Sequence, residues 1–166
     1  MSRKSGLFRA GKDKIEDPSV HTSFVNQPGF KIMYVTVLLA LWALLHTLRL
    51  VDNAGTAWTY ILRLHAVVTY IFFHWIKGAP GTGLLEDETL QAQTFWEQID
   101  SGYFGTPARR FLCVVPVVIF FVALVLNVQH DDLTTLIVNS IFTLVCLVPK
   151  FETFFNVRIF GINKEQ

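Results

Sequence analysis

The sequence predicts an all-α polytopic membrane protein. Four transmembrane helices form two hairpins, and an interfacial amphipathic helix lies in the loop between them. Three observations predict this. The 166 residues are 52% hydrophobic and only 16% charged, against roughly 25% charged in ordinary soluble domains. The apolar residues are gathered into four blocks rather than spread at amphipathic spacing. Finally, 12 of the 14 Lys and Arg residues fall on one side of those blocks. The composition also excludes a disordered chain, and two cysteines are too few for a disulfide scaffold. A net charge of +1 offers no electrostatic basis for binding nucleic acid.

Residues 1–31 read as a flexible cytosolic segment. Arg3, Lys4, Arg9, Lys12 and Lys14 make it basic, which suits an anionic membrane face. The blocks 32–48, 111–128 and 133–149 carry no formal charge, and each lies near the ~17-residue lower limit for a span. The block 56–76 is apolar apart from Arg63, His65 and His74. Short connections at 51–55 and 129–132 make each pair of blocks a hairpin. The transmembrane domain thus covers 32–150, and 151–166 form a cytosolic tail.

The central loop, 78–108, is different in kind. Gly78, Pro80, Gly81 and Gly83 break the second helix. The run EDETLQAQTFWEQID then favours a helix, with Glu86, Asp87 and Glu88 at the end where the helix dipole stabilises acids. Leu85, Ala92, Phe95, Trp96, Ile99 and Tyr103 recur at near-helical spacing, predicting an apolar face in the interface with Trp96 at headgroup depth. Four spans put both termini and this loop on the basic side, which faces the cytosol.

No residue pattern points to a reaction. His46, His65 and His74 lack the i, i+3 or i, i+4 spacing that sets two metal ligands on one helix face. They read as hydrogen-bonding groups between helices. Nucleophile elbows and phosphate-cradling glycine motifs are missing, and Cys113 and Cys146 lie in apolar blocks that disfavour a thiolate. No enzymatic activity, cofactor or metal is therefore expected. Glu97 and Asp100, beside Trp96, face either a partner's basic groups or water. Arg63 enters its span by roughly 10 Å, a position that costs a few kcal/mol without water or a partner. It either snorkels or pairs with Asp52 or a lipid phosphate. Pro116 must kink the third span or free a carbonyl. Asn127, Asn139 and Ser140 can bond across helices.

Several strings in this sequence resemble the Orm/ORMDL family of endoplasmic-reticulum membrane proteins. They are His74 with Lys77-Gly78-x-Pro80, Trp96-Glu97-Gln98-x-Asp100, and Arg109-x-Phe111-Leu112 with Pro116. The tail adds Pro149-Lys150 and then VRIFGINK from Val157 to Lys164. They keep family order and cover roughly residues 19–164. The resemblance implies four spans with cytosolic ends and a non-catalytic regulator in the endoplasmic reticulum membrane. Such a regulator binds the large catalytic subunits of serine palmitoyltransferase and restrains sphingolipid synthesis when ceramide is plentiful. Trp96, Glu97, Asp100, Arg109, Arg158, Phe160 and Asn163 are the partner-interface candidates.

Where the family shows Asn-Pro-Asn-Thr, this chain has Ser19-Val20-His21-Thr22. His21 and Thr22 are therefore its candidates for a ceramide headgroup, since neutral imidazole both donates and accepts hydrogen bonds. The basic, acid-poor N-terminus and this altered motif also fit a second reading. In it, the chain is a structural or assembly subunit of another membrane complex, such as a respiratory one in the mitochondrial inner membrane.

Overall fold

The computed structural model describes residues 22–78, 92–127, 133–155 and 157. His21, the acidic run 86–88, the 129–132 connection, Arg158, Phe160 and Asn163 lie outside the described residues. Within them every regular element is helical: α1 Pro28–Thr47, α2 Ala54–Tyr70, α3 Phe95–Gln98, α4 Pro107–Leu126 and α5 Leu133–Leu147. A 3-10 turn, Ser23–Asn26, precedes α1. The π turn Ile71–Trp75 continues α2, and the 3-10 turn Val148–Lys150 continues α5.

Local chemistry sets the helix starts. Pro28 and Pro107 occupy the first turn, where a missing N–H costs nothing. The Asn53 side chain accepts from Thr56 N at 2.7 Å, and Thr106 Oγ1 accepts from Arg109 N at 3.3 Å. These signals move the start of α1 to Pro28, four residues before the apolar block at 32.

Among the described residues three helices are long and apolar enough to cross a membrane: Pro28–Thr47, Pro107–Leu126 and Leu133–Lys150. The block at 56–76 forms α2, 17 residues long before its π turn. α2 is the central helix, packing against α4 and α5 and more lightly against α1. Its Ile61 and Leu62 meet Val115 and Ile119 of α4 in a fully apolar cluster. α1 buries none of its own residues. Ile32 and Val37 on α1, Val125 on α4 and Leu133 on α5 are more than half exposed. Helices apolar on their outer faces suit hydrocarbon as the surrounding solvent.

Polar side chains join the helices within this apolar setting. His65 and Tyr34 Oη lie 2.7 Å apart across α1 and α2. Asn127 Nδ2 donates to Gly55 O and Thr59 Oγ1, each at 2.9 Å. Arg63 Nε donates to Asn139 Oδ1 at 3.0 Å. Its partner in the structure is thus a neutral amide on α5, and not the Asp52 carboxylate. Ser140, expected to reach across helices, bonds its own helix at Leu136 O, 2.8 Å away.

At Gly55 the start of α2 lies close against the end of α4. A Cβ there would sit 2.5 Å from Asn127 Oδ1 and 2.6 Å from Leu126 O, shorter than any ordinary contact. Gly55→Ala must push the two helices apart or turn Asn127 away from its acceptors. The expected loss is about 1–3 kcal/mol, read as a lower midpoint in denaturation of the detergent-solubilised protein.

Candidate functional site

At the end of the bundle where α2 finishes and α4 begins, four separate stretches of chain converge on two buried cations. The stretches are 22–26, 93–106, the first turns of α4, and the chain from Lys150 to Phe155. Arg109 is 2% exposed and Lys150 4%. Burying a charge is costly unless it is paired or hydrogen-bonded: Lys150 Nζ and Arg109 Nη2 make such bonds, whereas Arg109 Nε and Nη1 have no partner among the described residues.

The central loop arrives through local signals. Ile76 N bonds Ile71 O at 3.0 Å to complete the π turn, then Lys77 pairs with Thr94 and Gly78 N donates to Gln93 O at 2.9 Å. Thr94 and Glu97 form a capping box: Thr94 N donates to Glu97 Oε2 at 2.7 Å, and Glu97 N to Thr94 Oγ1 at 3.4 Å. The helix thus begun lasts one turn. Asp100 and Ser101 adopt φ of 50° and 51°, a left-handed conformation that ends it. Gly102 at φ 82° and Gly105 at φ 79° carry the turn into α4.

Here the structure corrects the expected interfacial helix. Among the described residues its helical part is only Phe95–Gln98 with the following 3-10 turn. Trp96 is 2% exposed, so its ring packs within the chain and is not presented on an outer face. The reason is Arg109. Its Nη2 donates to the carbonyls of Trp96 and Ile99, both at 2.8 Å. Its guanidinium lies 4.8 Å from the Trp96 ring and 4.6 Å from that of Phe104. A planar guanidinium that stacks between two rings while one nitrogen bonds both carbonyls fits this slot better than a compact ammonium.

Lys150 shows the consequence of Pro116. In an α-helix the carbonyl of residue 112 accepts from the N–H of residue 116, and proline has none. The freed carbonyl of Leu112 instead accepts from Lys150 Nζ at 2.9 Å. The ammonium also lies 3.5 Å from Cys146 Sγ and within 6 Å of the Phe73 and Trp96 rings. Pro116 thus frees a carbonyl, and a residue 38 positions away takes it.

The N-terminal stretch docks onto this platform. Val25, 1% exposed, enters a cluster with Phe73, Phe95, Trp96, Ile99 and Leu112. Asn26 Nδ2 donates to Asp100 Oδ1, and Thr22 Oγ1 to Gln98 O at 3.3 Å. The chain before Thr22 therefore departs from a pinned point. Phe155 closes the other side, 5.2 Å from the Phe104 ring and against Gly102.

Four of the partner-interface candidates, Trp96, Glu97, Asp100 and Arg109, are together here and all buried. Their side chains are directed into this chain: Glu97 caps α3, Asp100 holds Asn26, and Arg109 holds the loop. Thr22, a headgroup candidate, has its hydroxyl bonded to Gln98 O. Lys150, Asn26 and Phe155 were missing from the sequence-based set. Pro116, four residues after Leu112, was the available clue to an unfilled carbonyl.

Sequence comparison relates most of the chain to known proteins. The ORMDL family model matches residues 19–158, from just before the pinned Thr22 to just past Phe155. An ORM1-like protein of Drosophila melanogaster is 35% identical over 147 residues, covering 87% of this chain and 91% of the relative. ORM1-like protein 3 of Mus musculus is 32% identical over 144 residues, covering 87% and 92%. ORM1-like protein 2 of Homo sapiens is 31% identical over 147 residues, with the same coverage. With a family match over most of its length, and full-length relatives above 30% identity, this chain belongs to the ORMDL family.

Proposed function

We propose that the chain is a non-catalytic regulatory subunit that binds serine palmitoyltransferase and restrains sphingolipid synthesis in response to ceramide. It would do so in the endoplasmic reticulum membrane, with four spans and both termini in the cytosol. The observation that carries this reading is the pinning of Thr22–Asn26 onto the Arg109–Lys150 platform. A segment that must block a substrate path in a partner needs a fixed departure point. Tethering it raises its effective concentration at that path. Ceramide inhibits only if it favours the blocked state over the open one. His21, one residue before the pinned point, is our candidate for the headgroup contact, with Thr22 beside it.

Native purification of the full chain is expected to recover the catalytic subunits of serine palmitoyltransferase. Recovery of respiratory subunits without them would overturn the proposal in favour of the assembly-subunit reading. Deletion of residues 1–21 stops short of the platform. It is expected to leave co-purification intact while abolishing inhibition at saturating ceramide. In the complex, His21→Ala is expected to shift the ceramide inhibition curve to higher concentration, and an unmoved curve removes His21 from the site.

A further inference from the structure

A trough between α2 and α5 takes no part in the N-terminal platform. Near the start of α2 it opens as a cavity of about 570 Å³ shared with α4, where Thr56, Thr59, Arg63, Asn127 and Asn139 sit among Phe120, Leu124, Leu133 and Leu136. Further along the same two helices runs an apolar groove of about 460 Å³. Ala66, Val67 and Tyr70 of α2 line it with Ile141 and Val145 of α5. Thr56, Tyr60, Arg63, Val67 and Tyr70 follow each other at alternating four- and three-residue steps, which is one stripe of a helix. On α5, Leu136 and Asn139 line the first cavity and Phe142 and Val145 the second, at successive three-residue steps that turn around that helix, so the continuity of the two cavities lies on α2. The two cavities follow one another along this stripe of α2, with polar groups among the apolar ones up to Arg63 and an apolar lining beyond it.

Arg63 stands at the change. Its Nε is engaged by Asn139 Oδ1 at 3.0 Å, and among the described residues its two Nη groups have no partner. The wall beside it is already fixed. Asn139 Nδ2 reaches Thr59 Oγ1 at 3.5 Å, and Asn127 Nδ2 bonds Thr59 Oγ1 at 2.9 Å and Ala123 O at 3.0 Å. About 14 Å of helix separates Arg63 from the first residue of α2, so Asp52 lines the far end of the cavity from it. An arginine this deep in an apolar bundle needs an acceptor or water. Its free fork matches the paired oxygens of a phosphate.

We propose that this trough holds one phospholipid, its phosphate on the Arg63 fork in the first cavity and one acyl chain along the apolar groove. Charge complementarity selects the phosphate, and the apolar lining beyond Arg63 along the stripe selects a lipid over a free anion.

The test uses the full chain, purified in detergent and stripped of lipid, with binding followed by native mass spectrometry. The probes are dioleoyl phosphatidylcholine, dioleoylglycerol (the same chains without phosphate) and inorganic phosphate. One phosphatidylcholine is expected per chain, with Arg63→Gln about tenfold weaker and dioleoylglycerol no tighter than that variant. Val67→Trp, which fills the groove and leaves the cation in place, is also expected to weaken phosphatidylcholine about tenfold. Equal phosphatidylcholine binding by the native chain, Arg63→Gln and Val67→Trp would mean annular lipid only and would overturn the site. Inorganic phosphate binding as tightly as phosphatidylcholine would overturn the lipid assignment. Should Arg63→Gln fail to fold, Arg63→Lys keeps the charge without the fork, and with Val67→Trp decides the same question.

Discussion

Replacing Arg109 by alanine is expected to undo the platform and release the N-terminal segment from it. The substitution removes the donor to two buried carbonyls, those of Trp96 and Ile99. It also empties a slot between the Trp96 and Phe104 rings. Each unsatisfied carbonyl costs about 1–3 kcal/mol, and the vacated volume adds a cavity term. A total loss of about 3–5 kcal/mol is expected, the range found when a buried charged group is removed from its partners. Arg109→Lys is expected to fall between native and alanine, because an ammonium keeps the charge but does not fill the slot or stack on both rings as the planar guanidinium does. Hydrogen exchange reads the local effect. The amides of Val25 and Gln27, bonded to Thr22 O and Phe24 O, should lose protection in Arg109→Ala. Retained protection there would show that Arg109 does not hold the segment.

The second large effect concerns Pro116 and Lys150, and it is a coupling. Lys150→Met leaves the Leu112 carbonyl without a donor, an expected loss of about 1–3 kcal/mol. Pro116→Ala restores a backbone N–H four residues after Leu112, and the carbonyl returns to its helix. The Lys150 ammonium, 4% exposed, then loses its oxygen acceptor, so this variant alone is also expected to be destabilised. In the double variant the helix bond is made and no ammonium is buried. The two losses should therefore largely cancel, with an interaction energy close to the sum of the two single losses in a double-mutant cycle. Strict additivity would show that Pro116 does not set the place of Lys150.

Both effects lie in residues whose types were conspicuous in the sequence but whose partners were not. The sequence places the start of the loop helix at the acids 86–88, whereas the structure has a helix start at the Thr94–Glu97 capping box. Asn127 and Asn139 were legible as polar groups in apolar helices, and they do bond across helices. Trp96 was legible as part of an apolar face, and its direction was misread. Helical periodicity assumes the helix continues, whereas Asp100 and Ser101 turn left-handed and end it after one turn. Glu97 and Asp100 were read as solvent- or partner-facing because acidic residues in a loop usually are. Long-range partners, Asn26 among them, reverse that default.

The amino-acid sequence by itself determined the solvent and the helices. Long uncharged blocks can satisfy their backbone only as helices when water is absent, and that condition depends on composition within about twenty residues. Tertiary structure alone decided which charges are buried and what they hold. Arg109 and Lys150 could equally have faced water. Their burial rests on carbonyls and aromatic rings contributed by stretches distant in the chain. No local pattern encodes those contacts. Their energy depends on several groups being brought together at once, and only the folded packing of the bundle does that.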